Sequence, residues 1–257
     1  MKNMKLNLVL LGLALVAPFA LYPVFLMKVL CFALFACAFN LLLGFAGLLS
    51  FGHAVFLGSG AYVTGYLMLN VEGLTPEMGI LAGVTVSAII GYIYGKLAIK
   101  REGIYFAMVT LALAQLAFFF FLQAPFTGGE DGIQGIPRGQ LFGLIDLNDN
   151  LNMYYFVLAV FIAGFALIYR TVNSPFGQVM KAIRENEPRA ISLGYKVNQY
   201  KLMTFVLSAT LAGLAGSTKA LVFQLASLTD VHWFMSGEVV LMTLLGGMGT
   251  IWGPVLG

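Results

Sequence analysis

Charge is what this sequence has least of. Of its 257 residues, 14 are Lys or Arg and 11 are Asp or Glu, 10% in all; a soluble domain carries roughly 25%. So few charges cannot cover a surface facing water, whereas lipid needs no such cover, and 60% of the residues are hydrophobic. The shortage excludes a soluble enzyme and points to an all-α, polytopic transmembrane bundle. A net charge of +3 gives no reason to expect a nucleic-acid partner. In a membrane protein the location of Lys and Arg says more than their sum. Cysteine is nearly absent: Cys31 and Cys37 share one apolar run. Six residues apart on a helix they face different ways, so neither a disulfide nor a metal site is expected.

Phosphate-binding and catalytic motifs are missing too. There is no G-x-x-x-x-G-K-[ST]. The nearest run, Gly91-Tyr-Ile-Tyr-Gly95-Lys96-Leu97, has the wrong spacing and lacks the hydroxyl that would hold magnesium. His53 and His232 are the only histidines, and no H-E-x-x-H occurs. No acidic network is visible inside the apolar segments, where proton-coupled pumps keep one; Glu238 stands alone at the start of the last. The chain reads as a non-enzyme without cofactor or metal. Energy for uphill transport would come from a partner.

What is present is a series of apolar segments, each near the roughly 20 residues that a spanning helix needs. They cover residues 6–25, 29–47, 50–69, 76–97, 103–123, 153–170, 202–223 and 237–257. Lys2 and Lys5 precede the first, which resembles a signal peptide but shows no small-residue cleavage site and reads as a retained helix. The second and third meet with almost no loop, so one of them is expected to be broken or re-entrant. If all eight cross and the N-terminus lies inside, Lys2, Lys5, Lys96, Lys100, Arg101 and the polar stretch 171–201 fall in the cytoplasm. Glu72, Glu77, Glu130, Asp131, Asp146, Asp149 and Asp230 fall outside, a consistent positive-inside bias. Only Lys28, Arg138 and Lys219 fall outside or near the outer ends. If 29–69 crosses once, the N-terminus moves outside. Ending at Gly257 inside a Gly-rich apolar run suggests a truncated last portion.

Three stretches carry functional signals. Residues 40–62, NLLLGFAGLLSFGHAVFLGSGAY, combine glycines with a hydroxyl and an imidazole. One reading is a broken helix lining a translocation path, with Asn40, Gly44, Gly47, Ser50, Gly52, His53 and Gly60 beside it. The other is tight helix packing, with His53 bonded to a backbone carbonyl. Residues 123–152 include TGGEDGIQGIP, where Gly128, Gly129, Asp131 and Gly132 mark tight turns. That segment either caps the outer mouth, meets an outside partner, or is a solvated loop. The cluster Gly246-Gly-Met-Gly249 with Trp252-Gly-Pro254 is a further expected break or close-packing point.

The third stretch, 171–201, is the long polar interruption. Ser174-Pro175 is a helix start, with an N-cap oxygen and a proline at the first helical position. Phe176, Val179, Met180 and Ile183 then form one apolar stripe, with Lys181 and Arg184 off it. Glu187-Pro188 ends this helix and can start a second over 189–193, closed by Gly194. Two short amphipathic helices could lie in the lipid interface, belong to a channel or carrier acting alone, or enter a groove on a soluble partner.

The run Ser174-Pro-Phe-Gly177, Ala182-Ile-Arg184-Glu-Asn186-Glu187, Ala190, Gly194, Tyr200-Lys201 and Phe205 resembles the cytoplasmic loop of LivM-type permeases, membrane subunits of bacterial ABC importers for branched-chain amino acids. The resemblance extends in order through 40–62, 127–137, SATLAGLAG at 208–216 and GGMGTIWGPVLG at 246–257. It implies one type II-like permease domain over 1–257 in the cytoplasmic (inner) membrane. It also implies a homologous second permease, two cytoplasmic ATPases and a periplasmic solute-binding protein. Ser174, Phe176, Gly177, Ile183, Arg184, Glu187 and Gly194 would then belong to the segment seated on an ATPase, a relative of E-A-A-x-x-x-G. Here Glu187 is followed by Pro188 and Arg189, and Gly194 comes one residue late. Related permeases serve urea or short amides, and a stand-alone channel or secondary carrier is the rival class.

Overall fold

Proline and capping residues set the helix boundaries. The computed structural model describes residues 12, 14–19, 21–71, 73–143 and 145–257. Residues 6–11, 13 and 20 of the expected first segment, together with Lys2, Lys5 and Glu72, lie outside them. The second segment begins earlier than its apolar run implied, as α1 (Pro23–Asn40) with Pro23 in its first turn, where a missing N–H costs nothing. The helix widens into a π-helical turn at Leu41–Phe45. The chain is then non-helical through residues 47–52, turning at Gly47 with φ +72°, before α2 (His53–Asn70) starts. The expected break between the second and third segments is therefore an unwound junction of six residues.

Helix α3 (Pro76–Ala98) again opens on proline, and α4 (Ile104–Gln123) follows Gly103. Helix α5 (Asn150–Asn173) is capped by the Asp149 carboxylate, which accepts from the Leu151 N–H at 3.2 Å. The polar stretch forms α6 (Pro175–Glu185) and α7 (Glu187–Ser192). Ser174 caps the first and Asn186 the second, its side chain accepting from the Arg189 N–H at 3.0 Å. Gly194 follows with φ +86°. Helix α8 (Val197–Phe223) comes next. The expected last segment is two helices, α9 (Trp233–Gly246) and α10 (Gly253–Leu256), parted where Gly247 and Gly249 take φ of +102° and +79°.

Among the described residues five helices are long and apolar enough to cross a membrane: Pro23–Phe45, Pro76–Ala98, Ile104–Gln123, Asn150–Asn173 and Val197–Phe223. Helix α2 has 18 residues but is less apolar, and α9 is shorter. Helices α1 and α8 are buried along most of their length, while α3, α4 and α5 bury about a third to two fifths of theirs. The outer three present Leu81, Ile93, Met108, Leu116, Phe119 and Leu167 outward, as lipid-facing helices do. Helix α2 is the most enclosed. Its Gly60 lies against the Gly213 backbone of α8, and Gly216 lies against Leu57. Ser87 donates to the Phe56 carbonyl at 3.0 Å and Ser217 to that of Gly60 at 3.1 Å. Small residues let these backbones approach, and hydroxyls join them where no water competes.

The bundle has two dissimilar ends. One carries residues 99–103 and 171–201, hence the exposed bases. The other is a folded cap. Ile133–Gln134 (β1) pairs antiparallel with Leu225–Ala226 (β4), and Gln140–Leu141 (β2) pairs with Ile145–Asp146 (β3). Gly128 and Gly132 take φ of +75° and +69°, and Gly132 is pressed on the Ala226 carbonyl. Gly129 is a third left-handed turn at φ +59°, and Asp131 is exposed. Ile133 and Ile136 of this stretch are buried against the bundle. Arg138 ties it down, donating to Val222 O and Asn150 Oδ1, each at 2.9 Å. Partial burial pulls its guanidinium below the usual arginine value.

Candidate functional site

The unwound junction and the polar helices were separate expectations along the chain; folding brings them together. The apolar stripe of α6 turns inward: Met180 and Ile183 are buried, and Phe176 stacks on Tyr200 of α8 with ring centres 5.5 Å apart. Gly177 sits against the carbonyls of Thr171 and Val172, where any side chain would collide. That seating aims Arg184 at the junction. Its guanidinium donates to the Gly44 carbonyl, its stem covers Gly47, and its Nη1 lies beside Gly249. The π-turn leaves carbonyls without the usual i+4 partner, so a cation from another segment can take one. Lys181 lies over the Phe45 ring at 5.7 Å.

Asn40 locks the third strand of this contact. Its amide donates to the Thr250 carbonyl at 2.8 Å, and its Oδ1 accepts from the Gly249 N–H at 3.0 Å. A Cβ on Gly44 would lie 2.6 Å from the Gly249 nitrogen and against the Asn40 amide. The two Gly-rich breaks, at 44–47 and 247–249, therefore pack on one another through Asn40 and under Arg184. Beside them Glu187 accepts from Lys201 at 2.6 Å, the lysine almost fully buried. Together with Gly47, Gly103 and Ile183 they border a cavity of about 240 Å³.

The remaining junction residues are tied to the bundle. Ser50 is buried and accepts from the Gly52 N–H at 3.2 Å. The Phe51 N–H donates to Thr110 Oγ1 of α4 at 3.1 Å, and the Ala54 N–H to Ser236 Oγ of α9 at 2.9 Å. The Phe51, Gly52 and Ala54 amides are thus satisfied by side-chain hydroxyls, as membrane depth requires. His53 is fully buried among the rings of Phe39, Phe56 and Phe205. Its Nε2 is 2.9 Å from Ser208 Oγ, and that hydroxyl donates to the Ala38 carbonyl, so the imidazole proton sits on Nε2. The carbonyl expected as its partner is reached through Ser208.

A second site went unseen in the sequence. A groove of about 740 Å³ runs from the cap end between α1, α8, α9 and α10, with Pro254, Val255 and Gly257 on its border. Lys219, one turn before the end of α8, donates to the Asp230 carboxylate, and their side chains are 14% and 3% exposed. Lys28 and Glu238 line the same groove. Glu238 therefore has charged company, which its position in the last segment did not reveal. The signal that could have found the pair is a lysine inside an apolar helix, eleven residues from an aspartate across a turn.

The described residues thus form a multi-pass helical bundle with an unwound junction tied to a polar surface segment. The chain belongs to the branched-chain amino acid transport system permease component family, whose profile matches residues 23–257. It is 30% identical over 240 residues to the high-affinity branched-chain amino acid transport system permease protein LivM of Salmonella typhimurium, covering 84% of this chain and 56% of the relative. A probable branched-chain amino acid transport permease protein LivM of Methanocaldococcus jannaschii is 26% identical over 85% of this chain and 72% of its own. The autoinducer 2 import system permease protein LsrC of Klebsiella pneumoniae is 26% identical over 67% of this chain and 50% of its own. The chain spans a little over half the length of that Salmonella protein. No solved structure matches it significantly.

Proposed function

We propose that the chain is the permease domain of an ABC importer for branched-chain amino acids, with residues 171–201 docked on a cytoplasmic ATPase. In this reading the base-rich end faces the cytoplasm of a bacterial inner membrane and the cap faces the periplasm. A second permease completes the pathway, two ATPase chains hydrolyse ATP, and a periplasmic binding protein delivers the solute. The observation that carries the reading is the Arg184 bond to the Gly44 carbonyl. A docked helix pair moves when ATP closes the ATPase dimer, and that bond makes the motion a pull on the unwound junction. Asn40 passes it to residues 249–250. The face of α7 and the turn after it leave Ile191, Leu193 and Tyr195 exposed beside Arg189, an apolar and basic surface suited to a groove on a protein.

Asn40, Gly44, Gly47, Ser50, Gly52, His53 and Gly60 then act as the moving wall of the path, and Gly128, Gly129, Asp131 and Gly132 shape its outer mouth. The test is reconstitution of the full-length permease with its candidate partners in proteoliposomes. ATP-dependent leucine uptake that is lost in Glu187→Lys or Gly194→Trp is expected. Uptake that continues without any ATPase would sink the reading, and uptake of urea in place of leucine would reassign the solute.

A further inference from the structure

Two charged ties join the polar segment to the bundle, and one of them bypasses the unwound junction. Arg184 of α6 reaches the Gly44 carbonyl. Lys201, one turn into α8, donates to the Glu187 carboxylate of α7 at 2.6 Å. The lysine side chain is 6% exposed and the carboxylate 26%. Helix α7 has six residues, too few to hold a helical turn without tertiary support. Ala190, which is buried, and the edge of Tyr195 on Tyr200, with ring centres 6.1 Å apart, give it an apolar seat. The ion pair adds direction: Glu187 is drawn toward α8, while Ile191 and Leu193 are left exposed. A carboxylate held by an enclosed ammonium is not free for a second cation. Presenting it elsewhere would strand Lys201 charged and unpartnered, the costly half of breaking such a pair.

We propose that Lys201 is a positioning residue for coupling: it keeps the Glu187 carboxylate within the permease, so that α7 moves with α8 and meets the ATPase through its apolar side. This rests on the importer reading and divides the mechanical path in two. Displacement of α6 pulls the junction through Arg184, and displacement of α7 pulls α8 through Lys201. Helix α8 passes the motion on by backbone contact, since Gly213 lies against Gly60 of α2 and Gly216 against Leu57. The two routes converge on the junction and the helix that follows it. The resemblance placed Glu187 among the groups seated on an ATPase; the ion pair turns that carboxylate inward.

Charge variants of the full-length permease test this, assembled with ATPases and binding protein in proteoliposomes, with leucine uptake measured per folded transporter and ATP turnover alongside. Glu187→Lys or Lys201→Glu alone sets like charges together and should cut uptake about tenfold, whereas the exchanged pair Glu187→Lys/Lys201→Glu restores the tie and should recover about half of the parental rate. If Glu187 instead met a cation of the ATPase, the exchanged pair would transport no better than Glu187→Lys. The neutral pair Glu187→Gln/Lys201→Met strands no charge and decides the matter even where the exchanged pair does not fold. Each of its single variants should lower uptake about fivefold with ATP turnover retained, and the double variant no further than the worse single, because all three lose one tie. Losses that multiply in the neutral pair overturn the proposal, as does a folded exchanged pair without recovery. Unchanged uptake per folded transporter in Lys201→Met overturns it as well and leaves the lysine a structural role alone. Failure of the importer reading is seen separately, as absence of ATP-dependent uptake by the unmodified complex.

Discussion

The two ends of this bundle solve opposite problems. At the base-rich end the segments close on one another beside a small cavity of about 240 Å³: Gly44 meets Gly249, Asn40 threads between them, and Arg184 closes over a carbonyl. At the cap end a groove of about 740 Å³ runs between the helices, with a buried ion pair across part of it. A contact without slack transmits displacement, because packed groups are bistable rather than deformable. In the proposed importer reading the close-packed end carries the coupling, and the two ends should respond differently to the same kind of change.

The largest difference is expected from removing one cation at each end. Lys219→Met strands Asp230, which is nearly inaccessible, and should cost about 3–5 kcal/mol. Arg184→Ala leaves an unpaired carbonyl near the surface and should cost about 1–2 kcal/mol. Thermal unfolding of the two purified variants checks the order. Equal losses would mean that the cap-end pair is solvated and the contrast false. The uptake assay separates them further, since Arg184→Ala should retain ATPase turnover while losing most uptake.

Added volume sharpens the same comparison. Gly44→Val drives methyl groups into the Gly249 backbone and the Asn40 amide and should cost about 1–3 kcal/mol, with uptake falling at least tenfold. Val29→Phe, on an exposed position lining the groove, should change stability by less than about 0.5 kcal/mol. A melt that drops equally for both would show that the groove is filled in the folded protein.

The coupling end was the more legible in the sequence, and the reason is chemical. Ser174-Pro175, the stripe from Phe176 to Ile183 and Gly194 are local signals, and each holds within a few residues of where it was read. Family membership supports the all-α polytopic fold read from composition. What was not legible is what depends on distant pairing. Arg184 and Gly44 are 140 residues apart, and nothing in either stretch names the other. The groove depends on Phe32, Lys219, Asp230 and Met235 meeting from three helices and a turn. Boundaries slipped where apolar run and helix differ: Pro23 starts α1 inside what hydropathy joined to the first segment, and Gly247 divides the last one.

The smallest expected effect tests whether the turn after α7 is a structural necessity or a spacer. Gly194 has φ +86°, and a Cβ added there would meet nothing within 4 Å. Substitution therefore carries a conformational cost alone, about 1 kcal/mol for a non-glycine residue in the left-handed region. Gly194→Ala should lower stability by that amount and leave coupling close to unchanged, whereas Gly194→Asn, which tolerates this conformation better, should lose less. Measured side by side in melts and uptake, the pair separates two demands on one position. A loss of coupling in Gly194→Ala with only this small stability change would mean that the residue touches the ATPase directly. The docked surface would then include the Gly194 backbone itself, between the exposed Leu193 and Tyr195.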